Sequence, residues 1–189
     1  MAKQTAKQAH VAILLQLFRQ FGYEGLSLTK ISQETGLGKA SLYHHFPGGK
    51  ADMAAAALTQ VNQWLEQDLL PLLAVNQKPI AAFQAMCKEV DRFFDGGRNA
   101  CLLSVLLCEQ SSNELFHEQI HWAFSHWSNA ISNVLIQAGV HKTLAKQRGE
   151  DAMISIQGAL TLSRGLRDYG SFQRVIKQLP QQLCQDMKN

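Results

Sequence analysis

Apolar positions recur every three or four residues along almost the whole 189-residue chain, and no stretch alternates with the period of two that a half-buried strand requires. Val11, Leu14, Leu15, Phe18 and Phe21 trace one helical stripe, which Gly22 and Gly25 bring to an end. Ser27 has the side chain of an N-cap and predicts a second helix running to Thr35. Gly36-Leu37-Gly38 interrupts the pattern, a short third helix follows from Lys39 to about Phe46, and Pro47-Gly48-Gly49 breaks it again. Longer helices are expected over residues 50–70 (stopping at Pro71), 79–95, 100–110, 113–138, 143–168 and 171–187. The stripe Phe116, Ile120, Phe124, Trp127, Ile131, Leu135 marks the helix over 113–138. The predicted fold class is therefore all-α: an N-terminal three-helix domain over residues 1–48, then a C-terminal bundle of about six helices over 49–189.

Within the first domain, Leu28 to Phe46 has the residue spacing of a helix-turn-helix. Ser32 is small where the two helices must pack closely. Gly36, four residues later, tolerates the positive φ of the turn, and Leu42, six further on, is an apolar residue for the core. Ile31 and Leu37 fill the space between, and Leu42 and Phe46 point inward. Lys39, Ala40, Tyr43 and His44 are left to face outward or forward on the recognition helix. Gly38-Lys39-Ala40-Ser41 is small apart from Lys39, which lets the backbone approach the floor of a major groove. Ala40 suits a thymine methyl and Lys39 a guanine edge or a phosphate. Tyr43 and His44 suit phosphate, as does Lys50 at the start of the next helix.

Charge agrees with that assignment. Residues 1–50 hold six Lys/Arg against two acids, whereas 51–189 hold twelve against thirteen, so the net +3 is concentrated at the N-terminal end. An apolar share of 46% argues for a packed chain, and no 18-residue apolar run is present to span a membrane. Residues 1–10 are polar, with no apolar block and cleavage site after them, so a cytoplasmic protein is expected. Cys87, Cys101, Cys108 and Cys184 form no C-x-x-C pair and read as reduced core residues.

Phe18-x-x-x-Gly22-Tyr23-Glu24-Gly25-x-Ser27, followed by Ile31, Gly36, Leu42-Tyr43-His44-His45-Phe46 and Lys50, resembles the TetR family of bacterial repressors over about residues 8–58. Gly48-Gly49-Lys50 and the run from Ala100-Cys101-Leu102-Leu103 through Glu109 are similar to the branch that includes LmrA and YxaF. The resemblance implies a homodimer on a near-palindromic, double-stranded operator, and a C-terminal domain whose small-molecule effector releases the DNA. It places Ser27, Thr29, Lys39, Ser41, Tyr43, His44 and Lys50 at the DNA, beside Gly38 and Ala40. The first helix departs from the family by carrying Lys3 and Lys7 but no arginine near its start, and Ser32 stands where alanine is usual.

For the C-terminal part the pattern leaves alternatives open. Ile154, Gly158, Leu162, Gly165 and Leu166 share one face of the penultimate helix; Phe172, Val175, Ile176, Leu179 and Leu183 share one face of the last. Either these faces form a four-helix dimer interface, as the resemblance implies, or they are the protomer's own core. Glycine inside a helix costs roughly 1 kcal/mol against alanine, which close approach of a neighbour would justify. Phe83, Met86, Phe94, Leu103, Trp122, Phe124 and Trp127 are candidates to line a pocket for an apolar or aromatic effector, with Glu109, Gln110 and Asn129 as polar anchors; each is also ordinary core material. No cofactor is called for.

His117-Glu118-Gln119-Ile120-His121 matches the H-E-x-x-H zinc pattern, whose histidines at i and i+4 share a helix face. It predicts either a zinc hydrolase or a metal-responsive regulator, against the alternative of a solvated helix face. The third ligand of the extended motif is absent, since Trp127 occupies its position.

Overall fold

The computed structural model describes residues 6–74 and 78–187, with side chains from residue 8 onward; Lys3 and the side chain of Lys7 lie outside the described residues. Among the described residues ten α-helices follow one another, with no strand: α1 (Ala6–Phe21), α2 (Leu28–Thr35), α3 (Lys39–His45), α4 (Lys50–Trp64), α5 (Leu70–Ala74), α6 (Pro79–Phe93), α7 (Leu102–Leu107), α8 (Gln110–Gln137), α9 (Lys142–Leu166) and α10 (Gly170–Leu183). The all-α architecture is as the periodicity predicts. The helices group into two compact units, residues up to 63 with 101–120, and 64–100 with 121–187.

The expected stop at Pro71 does not occur. One turn of π-helix, Leu65–Leu69, joins α4 to α5, and helix continues to Ala74. The Leu70 amide bonds back five residues to the Leu65 carbonyl. A proline needs room for its ring at the preceding turn and has no N–H to donate, and a widened turn immediately before it meets both conditions. Elsewhere the predicted boundaries shift by a few residues: α10 ends at Leu183 instead of 187, and α7 is only six residues long.

In the first unit, α1 buries Leu14, Leu15, Leu17 and Phe18, a face rotated slightly from the expected stripe: Val11 is half-buried, and Phe21 is exposed with the Lys30 ammonium 5.8 Å from its ring centroid. Arg19 is buried too, and burial pushes its guanidinium down to about 10, the Cys101 thiol opposing part of that shift.

The second unit is built around Phe83, Met86 and Val90 of α6, Trp127 and Ile131 of α8, Ile156 and Leu160 of α9, and Phe172 and Leu179 of α10, all buried. Trp64 stacks on Phe93 at 3.6 Å between centroids and meets Trp127 edge-on at 5.9 Å. Its indole N–H donates to Glu89 Oε1 at 2.6 Å, and Arg92 Nε donates to Glu89 Oε2 at 2.8 Å. The hydrogen bond from Arg92, joined by that from Trp64, holds the Glu89 carboxyl below the usual carboxylate range. Cys87 is buried, which pushes its thiol up to about 12. Cys108 departs from the expected core role, for it is exposed.

Candidate nucleic-acid interface

The helix-turn-helix is held by local chemistry. Ser27, extended at φ −88° and ψ 152°, caps α2: its Oγ accepts from the Lys30 amide at 3.1 Å, a contact worth about 1 kcal/mol. Lys30 and Glu34 pair one turn apart at 2.8 Å. Gly36 ends the helix at φ +70°, and a Cβ there would meet nothing within 4 Å, so backbone conformation and not lack of space selects glycine. Thr35 Oγ1 donates to the Ile31 carbonyl at 2.7 Å. Ser32 Oγ donates to the Leu37 carbonyl at 2.7 Å, bridging the turn. The departure from the family's alanine is therefore an added hydrogen bond, where sequence alone suggests only a tolerated small residue.

Ile31, Leu42 and Phe46 are buried, as the motif requires. Ser27, Thr29, Gly38, Lys39, Ala40, Tyr43 and His44 are exposed, and Ser41 and Lys50 half-exposed. Tyr43, at 48% exposure, offers a large aromatic to solvent while its Cε1 lies 3.4 Å from where a Cβ on Gly49 would stand. Asp52 Oδ2 accepts from the Gly48 amide at 2.6 Å and closes the first turn of α4. Lys50 Nζ sits 4.6 Å from the Tyr23 ring centroid, a cation–π placement that fixes the ammonium beside the start of α4.

Tyr23 leads to a residue that motif reading misassigns. Glu109, expected as a polar anchor for an effector, instead accepts from the Tyr23 and Glu24 amides through Oε2 at 2.7 and 2.9 Å. Ser111 Oγ donates to Glu24 Oε1 at 2.8 Å, and Phe116 meets the Tyr23 ring edge-on. These partners lie more than 80 residues along the chain from the turn they hold, so no local pattern announces them. Gln110 donates to Glu114, and Asn129 lines an open groove of about 660 Å³ between α8 and α9.

The other expected site residues separate. Phe83, Met86, Phe94 and Trp127 are buried in the second unit, and Leu103 is buried in the first. Trp122 is half-exposed and stacks on His126; Phe124 lines the α8–α9 groove with Asn129 and Ile154. Of the two faces offered for dimer contact, that of α9 is open. Ile154, Leu162 and Leu166 are 67%, 50% and 61% exposed, and a Cβ added at Gly158 or Gly165 would meet nothing within 4 Å. The α10 face is otherwise: Phe172, Ile176, Leu179 and Leu183 are buried within the protomer and Val175 half-buried, so the apolar stripe there is the protomer's own core. The outward side of α10 carries Gln173, Arg174, Lys177 and Gln178.

His117 and His121 are exposed on α8, with Nδ1 of the first 3.3 Å from Asn113 Oδ1 and Nε2 of the second 3.4 Å from Ser125 Oγ. Among the described residues no group of three or more His, Cys, Asp or Glu is placed to hold a metal ion.

A capped helix, a left-handed glycine turn and an exposed second helix, in an all-helical chain, define a helix-turn-helix transcription regulator. Comparison with known proteins places it more narrowly. Residues 14–57 match the model for bacterial regulatory proteins of the TetR family, and 79–178 that for the C-terminal domain of LmrA/YxaF-like transcriptional regulators. The chain is similar to the HTH-type transcriptional regulator LmrA of Bacillus subtilis, 31% identical over 78% of this chain and 80% of LmrA. It is also similar to the uncharacterized regulator YxaF of the same organism, 27% identical over 87% and 88%. A TetR transcriptional regulator from Legionella pneumophila superposes with a TM-score of 0.84 at 19% identity, covering 96% of this chain and 99% of that one. The protein belongs to the TetR family, with an LmrA/YxaF-like C-terminal domain.

Proposed function

We propose that this regulator is a cytoplasmic homodimeric repressor of the TetR type. It binds a near-palindromic duplex operator and leaves it when a small apolar or aromatic molecule binds the C-terminal part. In this reading residues 1–48 are the DNA-binding domain and 49–189 sense the effector and dimerise. Ser27, Thr29, Gly38, Lys39, Ala40, Ser41, Tyr43, His44 and Lys50 form the DNA face. The observation that carries the proposal is the exposed surface of α3 and its flanks above a buried Ile31, Leu42 and Phe46. Apolar residues anchor the recognition helix and leave a small, basic, aromatic-edged surface free. The open α9 face supports a second protomer, and release by an effector rests on the general design of the family.

Fluorescence anisotropy with a duplex taken from upstream of the protein's own gene tests the reading. Binding should be tight at low salt and weaken along a straight line of log K against log salt, because each neutralised phosphate releases counterions. Failure to bind that duplex more tightly than a scrambled one at any salt would overturn it.

A further inference from the structure

We propose that Glu109 is a positioning residue for DNA binding: its carboxylate holds the α1–α2 turn, and through Tyr23 the Lys50 ammonium, in the arrangement that meets phosphate. The inference rests on the DNA-binding role proposed for Lys50 and goes beyond it, since Glu109 itself touches no part of the DNA face.

The turn after α1 needs an outside acceptor. Gly22 leaves the helix at φ +72°, still bonded to the Phe18 carbonyl, and the next two amides, of Tyr23 and Glu24, point away from any helical partner. Both donate to the same oxygen, Glu109 Oε2. The other oxygen lies against Gly22, where a Cβ would come within 2.1 Å of it, so glycine at 22 is set by the carboxylate as well as by φ. Ser111 extends the clasp to the Glu24 side chain. Charge-assisted bonds of this kind are short and strong, so the carboxylate is the natural anchor for two amides that the helix end leaves unpaired. Tyr23, so fixed, lies between Phe18 and Phe116 and presents its ring to Lys50. Glu109 immediately precedes α8, a single helix whose first part, to Ile120, belongs to the first unit and whose remainder belongs to the second. A displacement at the start of α8 therefore acts directly on these two hydrogen bonds.

The test compares full-length wild type with Glu109→Ala, Glu109→Gln and Lys50→Ala. Anisotropy with the upstream duplex is measured over a salt series, and amide exchange at Tyr23 and Glu24 is followed by NMR. Because one oxygen takes both donors, the glutamine carbonyl can replace it, and Glu109→Gln should bind within about threefold of wild type. Glu109→Ala should lose about tenfold or more in affinity, as expected for two charge-assisted bonds lost. Its salt slope should fall by about one per protomer, as in Lys50→Ala, because one phosphate contact is lost. A merely structural loss that lowers the active fraction leaves that slope unchanged. The Tyr23 and Glu24 amides should exchange faster in Glu109→Ala and not in Glu109→Gln. Should Glu109→Ala fail to fold, Glu109→Asp, equally charged but one methylene short, takes its place with the same expectations. Wild-type affinity, slope and exchange in the alanine or aspartate variant would overturn the proposal, as would equal weakening of alanine and glutamine variants with an unchanged slope. If wild type itself binds no duplex, the DNA-binding reading fails instead, and the exchange rates alone decide whether Glu109 holds the turn.

Discussion

The α9 face makes the sharpest prediction about assembly. Leu162 is half exposed in the protomer, so replacing it by glutamate removes little from the protomer's own core and should leave helical content and melting nearly unchanged. If α9 meets its counterpart across a twofold axis, the substitution is felt twice. Burying the remaining half of a leucine is worth about 1 kcal/mol, and placing a carboxylate there without a partner adds at least about 2 kcal/mol. Over both copies that is about 6 kcal/mol, or roughly four decades in the dimer dissociation constant. Sedimentation velocity at micromolar protein reads this directly: wild type as dimer, Leu162→Glu as monomer, each with the same circular dichroism spectrum. Leu179→Glu supplies the contrast. That residue is 3% exposed inside the protomer, so the variant should unfold and not merely dissociate. A Leu162→Glu protein that remains dimeric at all concentrations would refute the assignment of α9 as the interface.

Tyr43→Ala should weaken binding to specific and scrambled duplexes alike, whereas Lys39→Ala should also relax preference at one base position if it reads a guanine; competition binding with single-position operator variants separates the two. Ser32→Ala, which restores the family's usual residue, should lower stability by about 1 kcal/mol through loss of the bond to the Leu37 carbonyl, measured by urea denaturation. The Glu89 carboxyl titrates lower in the folded protein than its ordinary value of 4.5, so the unfolded chain binds its proton more tightly. The stability it contributes is complete above the unfolded value and is lost as pH falls through the folded one. Glu89→Gln should thus flatten the acid limb of a plot of stability against pH, and an unchanged limb would show that the contacts with Trp64 and Arg92 carry no linkage.

Local chemistry was legible where cause and effect lie within one turn of helix. Ser27 caps the amide of Lys30 in the same turn, Gly36 takes the left-handed turn itself, and Leu42 and Phe46 fall on one buried face one turn apart, so spacing alone places them. The same holds for the succession of helices, because an apolar stripe reports its own period. What pattern does not contain is the identity of the surface each stripe meets. The α9 residues Ile154 and Leu162 and the α10 residues Phe172 and Leu179 have the same spacing signal, yet the first pair is open and the second is core. Pro71 misled for a related reason: whether a proline stops a helix depends on the geometry of the turn before it, here a π turn that no single residue announces.

Glu109 shows why an acidic residue next to a helix start is so hard to assign from its own neighbourhood. Its surroundings in sequence, Leu106, Leu107 and Cys108 before it and Gln110 after, suggest a bundle helix and hence an effector-binding role. Its hydrogen bonds lie instead with Tyr23 and Glu24. A carboxylate is an acceptor with several lone pairs, and the Tyr23 and Glu24 amides just past the end of α1 are donors that take two of them. The compact unit that contains the helix-turn-helix accordingly takes in residues 101–120 as well as the N-terminal segment. The α1–α2 turn and the start of α8 share a set of hydrogen bonds, and on the proposal that Glu109 positions Lys50 the affinity for DNA and the position of that start are linked quantities. On that same proposal, a molecule that binds more tightly when the start of α8 is displaced lowers the affinity for DNA, and DNA lowers the affinity for it by the same factor.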